Sequence, residues 1–514
     1  MKTNIKRLIS FLCVAVMLVV FAVPAMADDS VSLAFDMDSM GITSGMNVSS
    51  REGDFVRRDE FAQMVVNMML QQDVAKALEN EVYFADVSDS QYKGAVNLLA
   101  KMGFISGSGG GNFNPSDYIS YGAACKILVH ALGYKVIAED SSLNAYQFVA
   151  GNIKLTNGID SSKQYLSFNR AMKMIDNALD ISIMVPMYYN ANIAPSYEVD
   201  YGRTYRSLIN GRNGTGIVKM RGIVTADSST YLYDPLKNLK SNQLQVEGKT
   251  YTFAGNAPKG FVGQEVDFYI DVVDNKEGMV TSIAPTNKNV ICDFGGMQID
   301  EITASKIKFT SSGVKYNVKV NTTTRYIVNN RISVGYNVAK DLVPDESIVV
   351  RTIDNNDDDI ADVVYVFYYT DCIVESISST TNTITFEDGF MLGTTKNIKL
   401  DEEEIYWEIT EADGNSISLE DLKAGDVLSV AMSADKEAVR FVRGLETAEG
   451  VIVSRDGDYI IIDDTEYVMG DTIAGEDVKF GIKVIAYFNF LGTFVDYEEV
   501  KQEHRGGRIV QNVL

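Results

Sequence analysis

Three stretches in the first third of this 514-residue chain repeat one pattern, and that repetition constrains the fold more than any single motif. MGITSG (40–45), MGFISG (102–107) and IKLTNG (153–158) each join an apolar helix end to a Ser- or Thr-containing step and a glycine. A polar loop follows, then an apolar residue that opens a new helix: VRRDEFA (56–62), ISYGAAC (119–125) and LSFNRAM (166–172). The glycine stands 11, 12 and 8 positions before that apolar residue. The chain thus carries three copies of helix, glycine loop and helix, and units of this size bury their apolar faces by stacking on one another.

The middle loop, KMGFISGSGGGNFNP (101–115), packs its glycines where a phosphate-binding turn would. No Lys-Ser or Lys-Thr follows, and GSGGGN lacks the last glycine of a dinucleotide fingerprint. The alternative is structural. Gly107 takes the positive φ that ends a helix, Phe113 tucks under the loop, and Pro115 delays the next helix.

Around the loops the periodicity is helical. FAQMVVNMML (61–70) aligns Phe61, Val65 and Met68, ACKILVHALG (124–133) aligns Ala124, Ile127, Leu128 and Ala131, and RAMKMIDNALDI (170–181) aligns Ala171, Met174, Ile175 and Ala178. From about residue 215 the period becomes two: KTYTFAG, EVDFYIDVV, NTITFED, DYIIIDD and KVIAYFNF read as strands between Gly, Asp and Asn turns. The expected organisation is a signal peptide (1–27), a helical region (28–190; copies at about 30–71, 84–134 and 139–184), a linker (191–215) and four β modules (216–289, 290–370, 371–445 and 446–500). The ending (501–514) breaks the strand pattern and reads as a tail, with a truncated longer chain as the alternative. The expected fold class is multidomain: an all-α, pseudo-threefold triplet followed by all-β modules built as small antiparallel barrels or sandwiches.

The first 27 residues have the layout of a secretion signal. Lys2, Lys6 and Arg7 precede an apolar run from Leu8 to Val23, and Ala25-Met26-Ala27 offers a small-x-small cleavage site. No membrane contact is expected once it is cleaved. A net charge of −24, from 70 acidic and 46 basic residues, argues against nucleic acid and anionic lipid as partners. Two histidines argue against a His-ligated zinc site and against Ser-His-Asp or Cys-His triads. Of four cysteines Cys13 leaves with the signal, and Cys125, Cys292 and Cys372 make no disulfide framework.

FADVSDSQYKGAVNLLAKMGFISGSGGGNFNPSDYISYGAACKILVHALGY (84–134) resembles the S-layer homology (SLH) family. It is similar to the family's F-x-D-V, helix, glycine loop with F-x-P, and T-R-A-E-like helix start. The whole chain resembles a clostridial-type cell-envelope protein. The resemblance implies a triplet whose grooves bind secondary cell-wall polysaccharide, often bearing pyruvate ketals. A guanidinium at a helix start suits such a carboxylate, because it donates paired hydrogen bonds. Arg58 occupies the ligand-facing arginine position and Glu60 the glutamate position, whereas Tyr121 and Phe168 replace the arginine in the later copies. Asp86 and Gly107 complete the implied polysaccharide-binding set of Arg58, Glu60, Asp86, Gly107 and Tyr121. Plainer readings stand beside these: Arg58 as a solvated helix-start residue, Glu60 as a helix-dipole acid and Asp86 as a turn or N-cap acid.

IDNNDDDIADVVYV (353–366) offers Asp354, Asn356, Asp358, the carbonyl of Ile360 and Asp362 at alternate positions of a calcium loop. Asp359 stands where glycine is wanted and Tyr365 where glutamate is wanted, so a polar hairpin turn is the alternative. Calcium is the one cofactor considered. No local catalytic signature is present, so the expectation is a secreted, non-enzymatic protein of a bacterial cell wall or S-layer. It would be anchored by the triplet, with the β modules as scaffold and self-assembly among its partners. An SLH-anchored adhesin or wall-polysaccharide hydrolase is the alternative.

Overall fold

Val56, Ile119 and Leu166, the apolar residues that follow the three loops, are all essentially buried, and their neighbours Phe55, Tyr118 and Tyr165 face the opposite way. That alternation is the mark of extended backbone, in which successive side chains leave opposite faces. The three segments hydrogen-bond in a ring. Val56 N–H donates to Leu166 O at 2.9 Å, Leu166 N–H to Ile119 O at 3.2 Å, and Ile119 N–H to Val56 O at 2.9 Å. A second ring runs through the helix starts: Arg58 N–H to Asp117 O at 2.8 Å, Tyr121 N–H to Gln164 O at 2.9 Å, and Phe168 N–H to Asp54 O at 2.9 Å. Backbone groups that a helix start leaves unsatisfied are thereby paired across copies.

The computed structural model describes residues 29–51, 53–187, 196–211, 215–233, 239–274, 276–389, 391–400, 405–445, 447–470 and 478–500. The expected signal peptide, the tail and residues 191–195 and 212–214 of the expected linker lie outside the described residues. The N-terminal helices are α1 (Asp29–Ser39), α2 (Arg58–Met68), α3 (Gln72–Ala77), α4 (Lys93–Lys101), α5 (Tyr121–Ala131), α6 (Leu143–Asn152), α7 (Phe168–Asp180) and α8 (Tyr205–Ile209). They share one core, in which Phe61, Val65, Leu99, Leu128, Met174 and Ile175 are fully buried. α5 starts at Ser120, whose hydroxyl accepts the Ala123 N–H, and stops at Gly133, which takes φ +84°.

The expected fold class does not hold. Helices are the minority of regular structure among the described residues, and the rest of the chain is rich in strands. The helical region is not all-α either: extended segments bridge at its centre, and it runs on into a hairpin of Ile183–Met187 with Ser196–Asp200. Nor is the remainder purely antiparallel, since Arg325–Val328 pairs parallel with Val363–Tyr368, and Tyr406–Thr410 with Ala438–Arg443. A short helix, α9 (Val338–Asp341), also sits among these strands. Helical periodicity dominates the N-terminal sequence because it is dense there, but three- to four-residue bridging segments are too short to leave a period of their own.

The strands form sheets with a recurring order. Lys249–Thr252, Gln243–Val246, Gly216–Ala226, Glu265–Val273 and Lys276–Pro285 lie side by side, and Thr465–Val468, Tyr459–Ile462, Ala448–Asp456, Lys483–Phe488 and Phe494–Glu499 repeat that arrangement. The long central strand carries a β-bulge in both, between Val224 and Ala226 and between Ile452 and Ser454, and Thr370–Ser378 of a six-stranded sheet does so between Val374 and Ser376. A bulge lets one strand serve two sheet directions, so a single strand can close a small core. Neighbouring sheets are bonded to one another. Tyr365 donates to Val262 O at 2.7 Å, Arg331 pairs with Asp435 at 2.7 Å, and Asn489 donates to the half-buried Asp371 at 2.8 Å.

The helical region is clamped to the first large sheet. Asp36 of α1 accepts Lys219 Nζ at 2.6 Å and Tyr269 Oη at 2.9 Å, while Asp267 holds both Lys219 at 3.0 Å and Arg221 at 2.6 Å. The Tyr269 ring joins the helical core, so apolar burial and charge pairing act at one junction.

The acidic loop expected for calcium forms a turn held by its own carboxylates. Asp354 Oδ1 accepts the N–H groups of Asn356, Asp357 and Asp358, and its Oδ2 accepts that of Asp359 at 2.9 Å. Asp358 accepts Ile360 N–H and Asp362 accepts Asn355 N–H, each at 2.9 Å. The carboxylates satisfy their own turn instead of converging, and no group of three or more acidic, His or Cys side chains is arranged to hold a metal among the described residues. Alternate spacing brings oxygens together only if the backbone wraps around a centre, and here it folds as a hairpin turn between Ile348–Asp354 and Val363–Tyr368.

Candidate functional site

The glycine loop sets the site. Phe113 is 1 % exposed and stacks on Phe84 with ring centroids 5.4 Å apart. Asp86 of the FADV stretch pins it from beneath, accepting Phe113 N–H at 2.8 Å on one oxygen and Asn114 N–H at 2.7 Å on the other. Burial opposes ionisation of Asp86, but these amides and Arg58 outweigh it and hold the carboxyl below its ordinary range. Gly107 does not take the positive φ expected of it; Gly103 does, at +71°, and ends α4. Gly107 is required for closeness instead: a Cβ there would lie 2.7 Å from Asn112 O and 3.1 Å from the Phe84 ring.

Arg58, the first residue of α2, lies over the outer face of Phe113, its guanidinium carbon 4.4 Å from the ring centroid. Its Nε donates to Phe113 O at 2.9 Å, the one side-chain hydrogen bond it makes among the described residues. Burial holds its pKa below the ordinary value, against the pull of Asp117 and Asp86. Aromatic stacking plus one carbonyl bond fixes the guanidinium plane and leaves the two Nη groups for a ligand.

Arg58 borders an open groove of about 550 Å³ lined further by Ser116, Asp117, Tyr118, Ser120, Gln164 and Tyr165. Three chain segments meet there because the bridging rings bring residues 54–58, 117–121 and 164–168 together. Asp117 shares the groove and partly offsets the charge of Arg58.

The other residues expected at a binding surface lie elsewhere. Glu60 is buried and works as a cap, accepting Arg57 N–H at 2.9 Å and Arg51 Nη1 at 2.9 Å. Tyr121 is 9 % exposed, and burial raises its hydroxyl pKa. Phe168 is fully buried beneath the Arg51 guanidinium at 4.5 Å, so the third copy repeats the cation-over-ring contact with an arginine from the first. Of the five expected residues only Arg58 lines the groove. Ser116, Asp117, Tyr118, Ser120, Gln164 and Tyr165 line it as well, and only Tyr118 and Tyr165 had a legible signal, an aromatic residue just before each buried apolar one.

Asp86→Ala is expected to cost about 1.5–3 kcal/mol, the range for hydrogen bonds to a charged group, and to loosen Arg58 with the loop. Urea unfolding of the full chain, with fluorescence or circular dichroism as the readout, checks it.

The sequence model of the S-layer homology domain matches residues 83–125, so the chain carries an S-layer homology domain there, and it is similar to surface-layer and cell-wall proteins. It is 24% identical over 262 residues to the "Surface layer protein" of Brevibacillus choshinensis, covering 48% of this chain and 23% of that protein. It is 23% identical over 284 residues to the "Middle cell wall protein" of Brevibacillus brevis, covering 52% of this chain and 27% of that protein. A third relative, the "Cell surface protein" of Thermoanaerobacter kivui, is 32% identical over 133 residues, 24% of this chain and 16% of the relative. The chain thus spans about a quarter or less of the length of these relatives. Among the described residues no helix is long and apolar enough to cross a membrane.

Proposed function

We propose that the chain is held non-covalently on cell-wall polysaccharide through the Arg58 groove, and that its β modules act as non-enzymatic scaffold in a surface layer. The observation that carries this reading is the guanidinium itself, stacked on Phe113, tied to one carbonyl and offering two Nη groups to a groove lined by hydroxyl, amide and aromatic side chains. Such a lining suits a polyhydroxylated ring with one acidic substituent, for instance a pyruvate ketal. Asp117 sits in the same groove, so an anionic ligand gains most where it draws Arg58 away from that neighbour. The modules 216–289, 290–370, 371–445 and 446–500 would carry the outward surface. The names of the relatives, all surface or wall proteins, support a structural role.

Sedimentation of the full chain with purified walls, intact or stripped of polysaccharide, tests the reading. Arg58→Ala is expected to lower wall affinity about ten- to a hundredfold, the range for losing a charge-assisted hydrogen-bonded contact. Equal recovery with intact walls, stripped walls and the variant would reject it, and sugar release from walls would favour a hydrolase.

A further inference from the structure

Phe55, Tyr118 and Tyr165 stand at the same place in the three copies, each one residue before the buried Val56, Ile119 and Leu166. The bridging rings bring them together on the solvent side as a triangle, with ring centroids 5.2 Å apart for Phe55 and Tyr118, 6.1 Å for Phe55 and Tyr165, and 6.0 Å for Tyr118 and Tyr165. Phe55 remains 45 % exposed and Tyr118 49 % exposed. None of the three serves the core, whose demands the adjacent apolar residues already meet.

We propose that this triangle is a stacking platform for a pyranose ring, a subsite beside the Arg58 groove. The inference rests on the glycan reading given above. Three observations select a sugar as the occupant. Tyr118 and Tyr165 also line the groove, so a chain lying against Arg58 runs onto the platform without a gap. Ser120 and Gln164 border the same edge and supply hydrogen-bonding groups for ring hydroxyls, while the aromatic faces meet the apolar C–H face of the ring. The other occupants fit poorly. Three side chains cover far less than the roughly 1,000 Å² that a stable protein interface needs. A net charge of −24 opposes nucleic acid, whose bases would otherwise stack here. The platform would read the sugar backbone and Arg58 its acidic or polar substituent, so one groove discriminates on two chemically separate features.

The test uses the full chain and polysaccharide released from the producing organism's own walls, titrated by calorimetry. Tyr118→Leu with Tyr165→Leu keeps apolar bulk and removes the ring faces; it is expected to weaken binding about ten- to a hundredfold, as loss of an aromatic stacking partner does. Tyr118→Phe with Tyr165→Phe keeps the faces and is expected to bind within about threefold of the parent, a change well under the tenfold that marks a lost contact. Equal melting temperatures confirm that the surface variants fold. A leucine pair that binds like the parent, while Arg58→Ala does not, overturns the platform and leaves the groove reading intact. No binding by the parent overturns both. A dimer in sedimentation that the leucine pair dissolves, with glycan affinity unchanged, assigns the triangle to self-association and overturns the sugar subsite.

Discussion

The Phe113→Ala chain is expected to lose about 3–5 kcal/mol of stability in its N-terminal region, the range for truncating a fully buried phenylalanine. Two separate arrangements depend on this ring. It stacks on Phe84, and it carries the guanidinium of Arg58 on its outer face. Alanine leaves a cavity under the loop and removes the surface that orients Arg58, so wall binding should fall with stability. Phe113→Leu separates the two effects. It refills much of the volume, should recover most of the stability, and should still bind walls more weakly because the aromatic face is gone. Urea titration and wall sedimentation of both variants provide the check. A leucine variant with full affinity would show that the ring merely fills space.

The second large effect is on pH. His130 is buried in α5, its Nε2 lies 3.0 Å from Tyr146 Oη, and Phe104 packs edge-on against its ring. Burial, with Lys135 and Lys126 adding like charge, pushes its pKa from 6.5 to about 4. The folded-state pKa is lowered, so between about pH 6.5 and 4 the unfolded chain binds the proton that the folded chain refuses. The stability from neutral His130 is therefore fully present above pH 6.5 and is lost as the pH falls toward 4. At about 1.4 kcal/mol for each pKa unit, the loss is on the order of 3 kcal/mol. His130→Gln keeps a polar partner for Tyr146 and does not titrate. The difference between parent and variant melting temperatures across pH 4–7 isolates this group from the carboxyls of Asp227 and Asp371, whose raised pKa values act in the opposite sense. Parallel curves would show that His130 does not carry the dependence.

The legible part of the fold is the part written in periodicity. The stripes Ala171, Met174, Ile175 and Ala178 in α7, and Ile127, Leu128 and Ala131 in α5, are buried as their spacing required. The Gly133 stop was equally plain, because a residue at positive φ after an apolar run has few alternatives. What did not show is what short extended segments do. Residues 54–58, 117–121 and 164–168 look like loop ends in the sequence, yet they hydrogen-bond in two rings and decide where the groove lies. Gly107 was recognisable as necessary but for the wrong reason, since only the approach of Asn112 O explains it. The alternating acids of 353–366 matched a calcium spacing while their carboxylates capped their own turn.

The sequence by itself determined the helical stripes, the three recurrent loops, the strand periodicity beyond residue 215 and the likeness to SLH proteins, because each follows from neighbours close along the chain. Tertiary structure alone decided that Glu60 and Tyr121 turn inward, that Arg58 rests on Phe113, and that Phe55, Tyr118 and Tyr165 meet at one surface. The Arg58 stacking and the aromatic meeting depend on contacts between residues about 50 to 110 positions apart, where spacing carries no signal and only the packing of the shared core selects which side chain faces water.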